Sequence, residues 1–385
     1  MKKRGLTLSL SCAVLLVDLV GYGVIIPLLP IYARELGASE GQIGLLFSSY
    51  WMAFLFTLIP FGLVVDRYGM KNMVVTGMFL LTGSSVLYLL SSSLVALTAS
   101  RILQGISAAC NWTAAFPLAV QSTDAAKRGF ESSLISLSVG LGTIAGPIIG
   151  GQGSLETPFY LCAAASLLLG LLCLFLLPRP EAGKISWEGK FARIIKQSNV
   201  QTACLAASLA YLGFGMVEAL FPLHMASLHY SRQEIGLLFG IQGVSFVAIQ
   251  PLVGTWSDRK GRVAPMVSGL LLTAALLPLP FLFRSFVYWA LLFALLGIAI
   301  AIVFTPSVPL VADGVEADDQ GSAYALYNSI ISTGFILGPW WGGRMAESHG
   351  VALPFYLVAV ILGGGALVTL WISRQPGFRT NPKPS

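Results

Sequence analysis

The sequence predicts an all-α polytopic membrane protein with twelve transmembrane helices in two six-helix repeats. Of its 385 residues, 56% are hydrophobic and only 10% are charged, whereas a soluble domain carries about 25% charged residues because its surface faces water. Apolar runs, each close to the roughly 20 residues that span a hydrocarbon core, follow one another along the whole chain. Three motifs also recur in the two halves at one constant offset.

The first apolar run is interpreted as a retained transmembrane helix, although Met1 to Arg4 and the run after them are similar to a secretory signal. The run extends to about Arg34 and contains an aspartate, whereas a signal h-region has about 7–15 apolar residues. The twelve helices are predicted at residues 7–34, 40–65, 72–92, 94–120, 129–152, 155–177, 200–227, 233–256, 264–283, 286–312, 322–346 and 351–373.

A polar stretch separates the first six helices from the last six. The predicted domains are an N-terminal six-helix bundle (1–177), a cytoplasmic linker loop (178–199), a C-terminal six-helix bundle (200–374) and a cytoplasmic tail (375–385). With the N-terminus inside, eighteen of the 23 Lys and Arg residues lie in cytoplasmic segments. The positive-inside rule then places both termini in the cytoplasm and the chain in the cell (inner) membrane. The loop from Asp313 to Asp319 is acidic although placed inside, which weakens this fit.

The two halves are a sequence repeat with an offset of 192 residues. Because six helices return the chain to the same side, the copies are predicted to be parallel repeats about an axis along the membrane normal. The paired motifs are Ile43-Gly-Leu-Leu-Phe47 with Ile235-Gly-Leu-Leu-Phe239, Gly62-x-x-x-Asp66-Arg67-x-Gly69 with Gly254-x-x-x-Asp258-Arg259-x-Gly261, and Gly146-Pro147-x-x-Gly150-Gly151 with Gly338-Pro339-x-x-Gly342-Gly343.

These motifs resemble the major facilitator superfamily, and within it the twelve-helix drug/proton antiporters (multidrug and tetracycline- or quinolone-type efflux transporters). The segment from Gly62 to Lys71 is similar to the superfamily's cytoplasmic loop signature, and the resemblance covers nearly the whole chain. It implies the major facilitator fold and transport by two halves that rock against each other. We expect conformational gating from Gly62, Asp66, Arg67, Gly69, Lys71, Asp258, Arg259, Gly146, Pro147, Gly338 and Pro339.

Two further motifs within the spans indicate the direction of transport and a buried cation. Arg101-Ile-Leu-Gln104-Gly105 is similar to the family's second signature, and an arginine in a bilayer needs a partner or water. The helix-5 pattern that contains Gly146 and Pro147 resembles the antiporter signature, which favours export over proton symport.

Two acids lie deep within predicted spans, and an ionisable residue there is a functional hypothesis by default. The surroundings of Asp18 are similar to the first helix of tetracycline-type exporters, and those of Glu218 to quinolone-type exporters. We therefore expect proton coupling at Asp18, Glu218 and Arg101. Tetracycline itself is doubtful as a substrate, because the further acids of those exporters are absent from 72–92, 264–283 and 322–343.

Aromatic and amide side chains near these acids are candidates for a permissive substrate pocket, since aromatic rings allow cation–π contact. Each of them singly is also suited to ordinary packing, and His224 is a less favoured proton partner. The substrate-binding candidates are Tyr22, Gln104, Asn111, Trp112, Phe214, Phe221, Tyr327 and Asn328.

The leading functional expectation is export of small amphipathic or cationic, drug-like compounds in exchange for protons by rocker-switch alternating access. The alternative is a proton-coupled exporter of one endogenous metabolite, such as a sugar, siderophore or amino-acid derivative. No catalytic constellation, metal-ligand spacing or phosphate loop is present, so neither an enzyme, a cofactor nor a metal is expected. The expected partners are the substrate, protons and the lipid bilayer, without nucleic acid, and the protein is expected to be a monomer.

Overall fold

The computed structural model describes residues 2–123, 128–178, 190–316, 319–375 and 378. These residues form thirteen α-helices and one 3₁₀ turn, and no strand occurs among them. The helices are α1 (Lys2–Glu35), α2 (Glu40–Tyr68), α3 (Met70–Leu89), α4 (Leu94–Gln121), α5 (Arg128–Gly150), α6 (Thr157–Leu176), α7 (Lys190–Ile194), α8 (Ser198–Ser227), α9 (Arg232–Lys260), α10 (Val263–Leu276), α11 (Phe286–Asp313), α12 (Gln320–His349) and α13 (Ala352–Ile372).

All twelve predicted spans coincide with a long helix, so the predicted fold class is confirmed. Within the described ranges, ten of these helices are long and apolar enough to cross a membrane. The other two long helices, α4 and α12, are more polar and carry many of the candidate site residues.

The ninth predicted span, 264–283, matches the candidate span Val263–Phe281, but it is not one continuous α-helix, because α10 ends at Leu276 and a 3₁₀ turn follows at Leu279–Phe281. Pro278 and Pro280 cannot donate the backbone hydrogen bonds that would continue the helix. The five-residue helix α7, inside the predicted linker, was not expected from the sequence.

Contacts between Cα atoms divide the chain into two compact units. Unit 1 contains residues 1–39, 49–185 and 225–240, and unit 2 contains residues 40–48, 186–224 and 241–385. Each unit therefore holds most of one six-helix repeat together with the first turns of a helix from the other repeat. The five cysteines are free and buried, and a buried free cysteine behaves as a small hydrophobic residue.

A row of glycines joins α5 to α1 in unit 1. A Cβ atom on Gly146 would come within 2.7 Å of the Cα atom of Gly23, and one on Gly150 would overlap the carbonyl oxygen of Val24. Gly142 meets the carbonyl oxygen of Leu16 in the same way, at 2.8 Å. Small residues at such contacts let two helix backbones approach closely, which is how helices pack well in lipid.

The equivalent row joins α12 to α8 in unit 2. Cβ atoms on Gly334 and Gly338 would overlap the carbonyl oxygens of Ser208 and Leu212, and one on Gly342 would lie 2.8 Å from Cγ of Met216. Every glycine of this row matches one of the α5 row at the repeat offset of 192 residues. The duplication seen in the sequence is therefore also a duplication of packing.

The first turns of α2 and α9 make a second pair of matching contacts. In unit 2, a Cβ atom on Gly44 would overlap the carbonyl oxygen of Pro339, and the Ser48 hydroxyl donates a 2.7 Å hydrogen bond to the carbonyl of Ile336. In unit 1, a Cβ atom on Gly236 would overlap the carbonyl oxygen of Pro147. The recurring Ile-Gly-Leu-Leu-Phe motif thus supplies a glycine to each of these contacts.

We predict that Gly338→Ala destabilises the protein by about 1–3 kcal/mol, the usual cost of forcing extra volume into a packed contact. The control is Gly363→Ala in α13, because a Cβ atom there meets nothing within 4 Å and alanine favours a helix by up to about 1 kcal/mol. A thiol-reactive dye that reports exposure of the five buried cysteines during heating measures both changes. Equal midpoints in the two variants would contradict the prediction.

Candidate functional site

The Asp18 carboxyl is held in unit 1 by α4. Asp18 lies near the middle of α1 and is 4% exposed. The side-chain amide of Asn111 donates a 2.8 Å hydrogen bond from Nδ2 to Oδ1 of Asp18. The Trp112 side chain interacts with the same carboxyl, and the Cys110 thiol lies within its electrostatic reach. An acid near the middle of a span is thus hydrogen-bonded to a neighbouring helix.

Gln104 makes a second connection between α4 and α1, about one turn after Asp18 on α1. Its Nε2 atom donates a 2.8 Å hydrogen bond to the carbonyl of Gly21, and its Oε1 atom accepts hydrogen bonds from Arg101 (2.9 Å) and Tyr88 (3.2 Å). Gln104 is 3% exposed and Arg101 is completely buried. The predicted pair from the second signature is therefore joined by a direct bond and anchored on the helix that carries Asp18.

Aromatic rings surround the Arg101 guanidinium. Its Cζ atom lies 4.7 Å from the ring centre of Tyr50 and 5.6 Å from that of Tyr22, which are cation–π distances. The Trp51 indole donates a 3.3 Å hydrogen bond to the Tyr22 hydroxyl. Trp112 packs against this same aromatic cluster. Tyr22, Arg101, Gln104, Asn111 and Trp112 are thus brought together with Asp18 on facing surfaces of α1 and α4.

In unit 2, Glu218 is 1% exposed on α8. Tyr211, two turns earlier on the same helix, interacts electrostatically with Glu218 and with Tyr327 of α12. The Tyr327 hydroxyl is hydrogen-bonded to the Ser307 hydroxyl of α11 at 2.6 Å. Tyr211 and Tyr327 thus form a tyrosine group across α8 and α12, and Glu218 lies within electrostatic reach of Tyr211.

The two phenylalanines predicted beside Glu218 belong to different ring clusters. Phe214 is half-buried and packs against Phe335, which stacks on Tyr211 with ring centres 4.5 Å apart. Phe221 is completely buried against Phe293, at 4.8 Å, and also contacts Trp289. Phe214 is thus close to the tyrosine group, whereas Phe221 belongs to an apolar cluster toward the end of α8.

Asn328 lies apart from the buried residues of α12. It is exposed, and its amide donates a 2.9 Å hydrogen bond to the carbonyl of Tyr324 on its own helix. Its neighbour Tyr327 is only 2% exposed. His224 contacts the rings of Phe221 and Phe281, so its environment is mainly aromatic.

The two copies of the loop signature contain the tight turns that their glycines predict. Gly69 and Gly261 have φ angles of 82° and 86°, in the left-handed region that other residues rarely adopt. Lys71 donates a 2.6 Å hydrogen bond to the carbonyl of Leu177, just beyond the end of α6. Gly62 is buried and Arg67 is exposed beside Tyr68, while the side chain of Asp66 lies outside the described part of the structure.

In the second copy, Arg262 binds the aspartate of the motif, whereas Arg259, one of the gating candidates, is exposed. Arg262 forms ion pairs with Asp258 and, at 3.3 Å, with Asp313 at the end of α11, and it donates a 3.2 Å hydrogen bond to the Ser257 hydroxyl. Asp258 is thus connected to α11 through one arginine.

The acidic loop that weakened the topology assignment has cationic partners at both ends. Asp313 pairs with Arg262, and Asp319, just before α12, pairs with Arg193 of the short helix α7. The two arginines come from segments that the topology places on the same side of the membrane. The acids therefore serve as counter-charges for nearby basic residues.

The residues of these networks that the sequence analysis missed include Tyr50, Tyr88, Tyr211 and Ser307. Tyr211 could have been found, because it lies seven residues before Glu218 and so on the same face of a helix. Tyr50, Tyr88 and Ser307 belong to other helices than the residues they contact, and a single sequence does not show which helix faces meet.

The chain resembles known membrane transporters along almost its entire length. It is 26% identical over 381 residues to multidrug resistance protein 1 of Bacillus subtilis (strain 168), covering 96% of this chain and 97% of that protein. It is 23% identical to the quinolone resistance protein NorA of Staphylococcus aureus (strain MSSA476), covering 91% and 92%. A crystal structure of a bacterial homolog to the human lysosomal transporter Spinster, inward-facing and unoccupied, matches 97% of both chains with a TM-score of 0.81 and 15% identity.

Fold and relatives define a multi-pass membrane transporter, and not an enzyme. The family model of the Major Facilitator Superfamily matches residues 11–200 and 203–385. The chain belongs to the Major Facilitator Superfamily, whose members bind small-molecule substrates.

We predict that Arg262→Ala lowers the stability of the protein by about 1–3 kcal/mol, because Asp313 would lose a charged hydrogen-bond partner. Arg259→Ala is the matched control three residues away, and an exposed site of this kind changes stability by less than about 0.5 kcal/mol. The same thiol-dye unfolding measurement compares them. If Arg259→Ala proved as harmful as Arg262→Ala, the assignment of the ion pairs would be incorrect.

Proposed function

We propose that this transporter exports small amphipathic or cationic, drug-like compounds in exchange for protons, by alternating access of its two six-helix bundles. The observation that carries the proposal is a pair of buried carboxyl groups, one in each repeat: Asp18 on α1 and Glu218 on α8, which are 4% and 1% exposed. Acids inside a span are costly and mark ion or proton pathways. A carboxyl group that binds either a proton or a cationic compound couples their opposite movements.

The side chains near the two acids suit a substrate with both charge and apolar surface. Tyr22, Tyr50 and Trp51 lie near Asp18, and Tyr211, Phe214 and Phe335 lie in the group around Glu218. Aromatic faces attract cations and bury apolar area with little directional demand. The names of two relatives, a multidrug and a quinolone resistance protein, support drug-like cargo.

Arg101 would balance the charge of the proton-binding site. A guanidinium keeps its proton in proteins, so Arg101 cannot itself carry the transported proton. Arg101 lies nearly three turns before Asn111 on α4 and is connected to α1 through Gln104. We propose that the positive charge of Arg101 stabilises the ionised form of Asp18 while a substrate is exchanged. The cell (inner) membrane, with both termini in the cytoplasm, is part of the same proposal, and so is a monomeric state.

The proposal is tested by proton-driven ethidium movement in energised everted membrane vesicles. Asp18→Asn and Glu218→Gln are each expected to reduce the rate by about tenfold or more, equivalent to about 1.4 kcal/mol or more, because neither amide can exchange a proton. Glu35→Gln is the control, since Glu35 ends the same helix as Asp18 and is exposed. Wild-type rates in both core variants would refute proton coupling at these acids. Absence of any movement of several cationic dyes by wild type would refute polyspecific export and indicate a single endogenous substrate.

A separate prediction concerns Arg101→Lys, which keeps the charge. Lysine lacks the planar fork and stacking surface of arginine, so the bond to Gln104 and the contact with Tyr50 would be lost together. We expect ethidium movement to fall by about tenfold, with little change for Arg34→Lys at the exposed end of α1. Full activity of Arg101→Lys would show that charge alone is sufficient at this position.

A further inference from the structure

We propose that Asn111 is a positioning residue for Asp18, and that its side-chain amide stabilises both the ionised and the protonated carboxyl by turning half a revolution about its Cβ–Cγ bond. This inference rests on the proposed function in one respect, namely that Asp18 changes its protonation state during transport. It differs from the sequence-based expectation, in which Asn111 contacts the substrate.

The geometry joins the two side chains by one direct hydrogen bond in the interior of unit 1. Asn111 is completely buried, and its Nδ2 atom donates the 2.8 Å hydrogen bond to Oδ1 of Asp18. The remaining oxygen atoms, Oδ2 of Asp18 and Oδ1 of Asn111, are buried and accept no hydrogen bond from the described residues. The pair therefore makes one hydrogen bond, and each of the two side chains retains one oxygen atom that can still accept another.

The chemistry of the two groups explains why an amide suits this place. An ionised carboxyl group only accepts hydrogen bonds, whereas a protonated one must also donate, and an asparagine amide carries both a donor and an acceptor. When Asp18 gains a proton, its new O–H group needs an acceptor, which Oδ1 of Asn111 provides after the half turn. The proton comes from water on one side of the membrane and leaves to water on the other, and Asn111 itself neither gains nor loses one.

Gly77 of α3 provides the space in which the amide turns. A Cβ atom on Gly77 would overlap Oδ1 of Asn111 and lie 2.8 Å from its Cγ atom. The Ser107 hydroxyl of α4 donates a 2.8 Å hydrogen bond to the carbonyl of Gly77, one turn before Asn111. This hydrogen bond joins the two helices beside the amide, and the missing side chain of Gly77 leaves room for either the oxygen or the NH₂ group of Asn111.

Other groups near Asp18 do not offer the same exchange. Cys110 and Trp112 face the carboxyl from α4, and Arg101 lies further along that helix. An indole N–H is a donor only, and so is a guanidinium, while a thiol is only a weak donor and a weak acceptor. The amide of Asn111 is therefore the group best suited to accept from the protonated acid.

The first test observes Asp18 directly. Infrared difference spectra of the purified protein between high and low pH contain a carboxylic-acid C=O band that Asp18→Asn identifies by removing it. We expect Asn111→Leu to move this band to higher frequency, because the protonated acid has lost its acceptor, and Asn111→Thr to keep it near the wild-type position, because a hydroxyl both donates and accepts. An unchanged band in Asn111→Leu, or no titrating Asp18 band in wild type, would overturn the inference.

The second test measures the effect on transport in proteoliposomes with ethidium and an imposed pH gradient. Asn111→Leu is expected to lower the rate by about tenfold or more, the factor that accompanies loss of a hydrogen bond to a charged group, and Asn111→Thr should retain most of it. Gly77→Ala should behave like Asn111→Leu, whereas Gly83→Ala on the same helix should not, since a Cβ atom there meets only Leu103 at 3.6 Å. Thermal unfolding of all four variants shows whether each is folded. Equal rates for Asn111→Leu and Asn111→Thr would contradict the inference.

The two tests separate this inference from the proposed function. If the band shifts as expected but wild type moves no ethidium, the role of Asn111 stands and the export proposal fails. If wild type moves ethidium in a proton-dependent manner but the Asp18 band has the same frequency in Asn111→Leu as in wild type, the export proposal stands and the role of Asn111 fails.

Discussion

The close approach of α1 to α5, and of α8 to α12, is the contact on which the candidate site depends. In α1, the residues that meet the glycine row include Leu16, Gly23 and Val24. At 100° per residue, Asp18, Gly21 and Tyr22 lie on the opposite side of the helix. Once α5 occupies one side of α1, the side that carries the acid is presented to α4, where Asn111 and Gln104 bind it. Packing of small residues therefore determines the orientation of a charged group.

The two repeats share the same glycine contacts between helices, but they carry different polar residues at equivalent positions. Each glycine of the α5 row has a counterpart in the α12 row, but Asp18 corresponds to Ala210 and Glu218 to Ile26. Arg101 corresponds to Phe293, which is completely buried beside Phe221. A backbone contact accepts only glycine, so both copies retain it. A side chain inside either unit has no such constraint, and the two units have come to carry different polar groups.

The sequence was sufficient for the parts of the molecule that depend on local pattern. Apolar runs predicted every long helix, and the repeated glycines of the sequence form matching packing rows and the turns at Gly69 and Gly261. The early end of α10 was also predictable from its prolines. The bonds of Asp18 to Asn111 and of Gln104 to Gly21 were not, because they join residues 93 and 83 positions apart. Such pairs follow from which faces of helices meet, and that information is not local. The ion pair of Arg193 with Asp319 could not be predicted for the same reason.

The burial of all five cysteines has a practical consequence for studying motion in this transporter. Cys12, Cys110, Cys162, Cys173 and Cys204 lie in the interior of helix packing. In the folded protein these thiols are shielded from water-soluble maleimides and spin labels. A new cysteine engineered at an exposed helix end would therefore be labelled selectively in the native background. Pairs of such labels could follow distance changes through the transport cycle without first replacing residues that fill the core.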